Sequence, residues 1–193
     1  MKASDAWSAG ELLIRARAGE SAAFAALVQR YQRTVYSIAL RMLNDRHRAE
    51  DLAQEVFLQL YRALDDIDSD AHLAFWLRKV AVNRAIDRMR QESRHDSEPL
   101  TEAAAVVDVA DDADPLLQRR MAELVAQLPP AARAVVVLRY QEDLDPLDIA
   151  STLDMPINTV KSHLKRSLAS LRALVLGSPI VDDVRPTLSE PFR

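Results

Sequence analysis

The chain has 193 residues, 49 % apolar and 28 % charged, with a formal net charge of −4. That balance belongs to one folded domain or two small ones, and the absence of cysteine excludes disulfides, thiolate chemistry and cysteine-held zinc. Three glycines argue against a glycine-rich phosphate loop. No apolar run approaches the roughly 18 residues of a membrane span, so a cytoplasmic protein without membrane insertion is expected.

Helical periodicity begins near residue 10. Leu13, Ala16, Phe24, Leu27 and Val28 keep helical spacing across a break at Gly19-Glu20-Ser21, where Ser21 suits an N-cap. Tyr31, Val35, Ile38, Ala39 and Met42 then mark an amphipathic helix that ends at Asn44-Asp45. The next helix, about 48–64, buries Leu52, Val56, Leu60 and Ala63, so Asp51, Gln54, Glu55 and Leu58 must face away from the core. Two carboxylates one turn apart could hold a metal, but no histidine projects beside them. A protein-docking face fits them better, and no metal is expected.

After the polar loop "DDIDSD" a helix of about 71–89 follows, and Arg78, Lys79, Arg84, Arg88, Arg90 and Arg94 fall within 17 residues against only Asp87 and Glu92. His72, Phe75 and Trp76 lie at its start. Cations supply charge for phosphates and aromatics supply stacking surface, a combination suited to unpaired bases beside a loop. Taken alone, Trp76 reads as a core residue that pins the loop to the helix.

Charge divides the chain. Residues 1–95 sum to +2, residues 96–118 to −7 with no cation, residues 119–176 to +2 and the tail to −1. The acidic stretch, with Pro99 and Pro115, reads as a flexible linker, a surface helix near Glu102–Val107 being the alternative. The expected organisation is all-α: a helical domain 1–94, an acidic linker 95–114, a second helical domain 115–176 and a flexible tail 177–193.

In the second domain "LLQRRMAELVAQL" is a helix stopped at Pro129-Pro130. "AARAVVVLRYQ" follows, where three valines could suggest a buried strand, but Pro130 at a helix start favours helix. "PLDIASTL", the turn "DMP" and a helix of about 156–176 have helix-turn-helix proportions. Ala150 is small where the helices approach, and Asp154 tolerates the positive φ for which such turns often use Gly. On the last helix Ile157, Val160, Leu164, Leu168 and Leu171 form an apolar stripe. Asn158, Thr159, Lys161, Ser162, His163, Lys165 and Arg166 lie outside or beside it, and residues 155–174 contain no acid. Early polar residues on such a helix reach base edges in the major groove, while later cations meet phosphates.

Together these residues resemble the extracytoplasmic-function subfamily of bacterial RNA polymerase sigma factors. The likeness rests on "AEDLAQEVFLQLYRALDDI" (49–67), "FWLRKVAVNRAIDRMR" (75–90), "LPPAARAVVVLRY" (128–140) and "DIASTLDMPINTVKSHLKRSLASLR" (148–172), in that order. It implies that Asp51, Gln54, Glu55 and Leu58 dock on the clamp of the largest subunit of core RNA polymerase. It further implies that His72, Trp76, Lys79, Asn83, Arg84, Asp87 and Arg88 open the minus-ten element of promoter DNA, and that Asn158, Thr159, Lys161, Ser162, His163, Lys165 and Arg166 read the minus-thirty-five element. The linker would follow the RNA exit path, and an anti-sigma factor would mask these faces. No catalysis and no cofactor are implied. The rival reading is a polymerase-independent helix-turn-helix regulator, which would need a ligand or receiver domain in residues 1–95, where no βαβ pattern occurs. A metal hydrolase built on Asp51 and Glu55 is a distant third.

Overall fold

A computed structural model of the chain describes residues 7–95 and 115–176. The described residues form eight helices: α1 (Ala9–Arg17), α2 (Ser21–Leu43), α3 (Arg46–Arg62), α4 (Asp70–His95), α5 (Pro115–Ala126), α6 (Pro130–Tyr140), α7 (Pro146–Leu153) and α8 (Ile157–Leu176). A 3-10 turn at Leu64–Asp66 joins α3 to α4, and no strand occurs among the described residues. The all-α expectation holds, including for the valine run. The linker expected over 95–114 lies outside the described residues except for His95, the last residue of α4, and the tail 177–193 lies outside them entirely.

Local chemistry sets the helix boundaries. Ser8 and Glu11 form a reciprocal capping box on α1. Asp45 caps α3 through the Arg48 amide at 2.9 Å, and Ser69 Oγ accepts from the His72 amide at 3.1 Å in the first turn of α4. Asp145 caps α7 with Pro146 in its first turn. Ser21 is not the N-cap expected of it: α2 is capped at Glu20 without a side-chain bond, and Gly19 takes the left-handed turn at φ 86°. Beyond that turn α2 runs unbroken for 23 residues.

Helices α1–α4 bury one core around Leu27, Ile38, Met42, Leu52, Val56, Leu60, Leu73 and Leu77. Tyr31 on α2 donates its phenol proton to Asp70, fixing the start of α4 to α2. Burial, reinforced by that bond, pushes the Tyr31 pKa up to about 12. A raised folded pKa means that its stabilisation is complete below the ordinary tyrosine value near 10 and is lost as pH rises through about 12. Tyr31→Phe should therefore flatten the alkaline loss of stability, read as the urea midpoint against pH.

Helix α6 explains its own composition. All residues from Ala132 to Leu138 are buried. One flank packs on α7 and α8, and the other meets α2 and α4. A helix that is apolar all round is a helix enclosed on all sides. Ala134, Val135, Val137 and Leu138 thus join the core of α1–α4, whereas Ala132 and Val136 join Leu124, Leu128 and Leu171 in a second cluster. The N- and C-terminal helices thus share an apolar contact.

Arg133, 7 % exposed, sits at this junction. Its guanidinium donates to the carbonyls of Met42 at the end of α2, Ala126 at the end of α5, and Leu128. Carbonyls at helix C-termini lack intrahelical partners and carry partial negative charge, so a buried cation can hold two such ends together. Burial pushes its pKa down to about 10, which leaves it charged at neutral pH.

Candidate functional site

Three faces carry the residues singled out from the sequence. On α3, Asp51, Gln54, Glu55 and Leu58 are all exposed, as the stripe requires. Leu58 is 60 % exposed, and Tyr61, one turn further on, is equally so. Tyr61 meets Phe24 edge-on with ring centroids 5.1 Å apart, which steadies it on the surface. Its spacing of three from Leu58 is the signal in the sequence that sets it on the same ridge. Large apolar side chains left in water beside carboxylates make a ridge suited to another protein.

Five of the seven residues assigned to the minus-ten element share one face of α4. At 3.6 residues per turn His72, Trp76, Lys79, Asn83 and Asp87 fall within an arc of about 80°. Trp76 is half-buried against the core, so it serves as structure while keeping part of its ring accessible. His72 Nδ1 lies 3.0 Å from Asp68 Oδ1. Hydrogen bonds from Ser69 and then His72 hold the Asp68 carboxyl below its usual value.

Arg84 and Arg88 point elsewhere. Arg84 donates to Gln59 Oε1 at 3.0 and 3.3 Å. Arg88 pairs with Glu55 at 2.6 Å and donates to the Arg48 carbonyl at 3.0 Å. Both therefore bind α4 to α3, and Arg88 joins the α3 ridge to the basic helix. Arg78 and Lys79 are also engaged, with Glu142 at 3.0 Å and Asp154 at 2.8 Å.

The face on α8 differs. Asn158, Thr159, Lys161, Ser162, Lys165 and Arg166 are exposed and His163 is half-buried at the edge. Ser162 donates to the Asn158 carbonyl at 2.8 Å. Among the described residues Lys161, Lys165, Arg166 and Arg172 form no ion pair, whereas Arg78, Lys79, Arg84 and Arg88 on α4 all have side-chain partners. Cations without internal partners are ready for phosphates. The buried stripe of α8 runs through Val160, Ser167 and Leu171, and Leu168, expected inside, is 42 % exposed. Positions 160, 164, 167 and 171 alternate steps of four and three, which keeps them in register with α6 better than 168 does.

The turn between α7 and α8 is left-handed at Asp154, φ 49° and ψ 46°. Asp at this position thus does the work expected of it. Among the described residues no three His, Asp or Glu side chains converge to hold a metal ion, and no helix is long and apolar enough to cross a membrane.

Comparison with known proteins places these faces in a family. The model for Sigma-70 region 2 matches residues 27–95, and that for Sigma-70, region 4 matches residues 118–171. The ECF RNA polymerase sigma factor SigW of Bacillus subtilis is 32 % identical over 167 residues, 80 % of this chain and 89 % of that protein. The RNA polymerase sigma-H factor of Pseudomonas aeruginosa is 30 % identical over 170 residues, 81 % and 88 % of the two chains. In fold the chain is similar to the sigma factor RpoE of Bartonella quintana, solved with the anti-sigma factor NepR (TM-score 0.66, 21 % identity, 82 % of this chain and 98 % of that one). It is also similar to CnrH, solved with the cytosolic domain of CnrY (TM-score 0.65, 24 % identity, 89 % and 100 %).

Proposed function

We infer the function from family and surface together: the chain belongs to the extracytoplasmic-function RNA polymerase sigma factors, and it is an alternative sigma factor directing transcription initiation. It binds core RNA polymerase and promoter DNA, has no catalytic activity of its own and works in the cytoplasm. The observation that carries this reading over a polymerase-independent regulator is the exposed ridge of Asp51, Gln54, Glu55 and Leu58 on α3. A repressor that needs only DNA has no use for it.

The roles divide by face. The α3 ridge, with Tyr61, docks on the polymerase clamp. The α4 stripe His72, Trp76, Lys79, Asn83 and Asp87 engages the minus-ten element, and Arg84 and Arg88 brace that helix against the docking helix. The α8 face from Asn158 to Arg166 reads the minus-thirty-five element. Docking energy and capture of unpaired bases together offset duplex opening, so neither half need hold DNA tightly alone. An anti-sigma partner would act by covering the α3 ridge or the α8 face.

A gel shift with promoter DNA, with and without core polymerase, tests the reading. A specific complex should appear only with polymerase; equal binding in both lanes would hand the case to the simple regulator. Arg166→Ala should weaken the complex and reduce the slope of log affinity against log salt by about one, as expected for one lost phosphate contact.

A further inference from the structure

We propose that the cavity between α2, α5 and α6 binds a small apolar carboxylic acid that carries an O–H or N–H donor next to its carboxylate. None of the lining residues belongs to the three faces described above, and the site does not depend on the roles of those faces.

The walls are hydrocarbon. Val136 and Val137 of α6 are buried, Val125 of α5 is half-buried, and Met121 and Tyr140 stand 39 % and 60 % exposed where the cavity meets water. Met121 is an adaptable wall, since an unbranched thioether repacks around different shapes. A dry cavity of about 150 Å³ holds a benzene ring, so the 250 Å³ here suits roughly ten non-hydrogen atoms.

Two polar groups in this lining lack partners. Arg41, in the last turn of α2, is half-buried, and its guanidinium forms no ion pair or hydrogen bond among the described residues. The acids nearest to the lining in sequence are engaged elsewhere: Glu142 with Arg78 at 3.0 Å and Glu123 with Arg119 at 3.2 Å. Gln141 spends its amide N–H donors on Ser37 Oγ at 2.9 Å and Glu142 Oε1 at 3.3 Å. Its Oε1 is buried without a donor. Turning the amide over would set that oxygen against the Glu142 carboxylate, so the orientation is fixed. Ser37 and Arg41 are neighbours on one face of α2, four residues apart. Gln141 therefore meets α2 one turn from Arg41, and both unmet groups belong to the same end of the cavity.

The ligand chemistry follows from these demands. The cation asks for an anion, the buried acceptor asks for a donor, and the walls ask for an apolar body. A carboxylate with a hydroxyl or amide N–H on the next carbon, followed by a short hydrocarbon tail, meets all three. A plain fatty acid leaves Gln141 unsatisfied, an amine is repelled by Arg41, and a sugar phosphate leaves the valines without contact.

Isothermal titration of the full-length chain with 2-hydroxyoctanoate, octanoate and octan-1-ol tests the site. The hydroxy acid should bind saturably, about three- to tenfold more tightly than octanoate, the range for one hydrogen bond to a neutral acceptor. Octan-1-ol should bind weakest. Arg41→Met should weaken the hydroxy acid by about tenfold or more, the effect of losing a charge-assisted pair, and leave octan-1-ol unchanged. Gln141→Leu should abolish the preference for the hydroxy acid over octanoate. The comparison of the three probes on the wild-type chain stands even if a variant fails to fold. No saturable binding of the hydroxy acid, equal affinity for it and octan-1-ol, or undiminished binding in Arg41→Met would each overturn the site. So would a wild-type chain that sediments as a dimer and becomes a monomer in Met121→Glu, because a second copy would then fill the groove.

Discussion

Leu58→Asp should reduce binding to core RNA polymerase by about 30-fold or more, the loss typical of a buried interface anchor, while leaving the melting temperature essentially unchanged. Leu58 is 60 % exposed in the free chain, so its removal opens no cavity in the fold. Covered by a partner, the same side chain would be desolvated, and an aspartate there would bury a charge without a counterion. Fluorescence anisotropy of labelled protein titrated with core polymerase measures the first quantity and calorimetry the second. A Leu58→Asp protein that binds polymerase like wild type would remove α3 from the docking role. A drop in both binding and stability would instead make Leu58 a structural residue.

The second large effect belongs to Arg133. Arg133→Met should destabilise the protein by about 3 kcal/mol, because the Met42, Ala126 and Leu128 carbonyls lose a charged donor in a dry site. Arg133→Lys should recover only part of this, since a single ammonium cannot reproduce a planar fork spread over carbonyls from two helix ends. Urea denaturation at neutral pH measures both. Its pKa of about 10 keeps Arg133 protonated there, so no titration intrudes. If Arg133→Met proves as stable as wild type, apolar packing alone holds the junction of α2, α5 and α6.

These two residues also mark what a sequence can and cannot disclose. The outward placement of Leu58 follows from counting alone: Leu52, Val56 and Leu60 occupy the core face, and a helix leaves Leu58 nowhere else to go. Helix ends were similarly legible where proline or a capping carboxylate marks them, as at Pro130, Asp145 and Pro146. Periodicity does not identify partners distant in the chain. Arg84 and Arg88, which the resemblance assigns to the minus-ten element, also reach Gln59 and Glu55 across the α3–α4 contact, partners that spacing along the chain does not name. The valine run was ambiguous because a strand and an enclosed helix have the same composition, and the contacts of α6 on both flanks resolve it. Ser167 displaced Leu168 from the core because the α6–α8 contact follows alternating steps of four and three, a preference the residue types themselves contradict.

The absence of internal ion pairs on the outward face of α8 has a consequence for how such a protein can change. Among the described residues Lys161, Lys165 and Arg166 form no ion pair, so under the proposed function exchanging them would alter which promoter element is addressed without disturbing the scaffold that presents them. Variation there is cheap, whereas each step along α6 offends one neighbour or another. If α8 reads promoter DNA as proposed, a new set of promoters could be reached by rewriting a few exposed letters on one helix, with the rest of the molecule left as it stands.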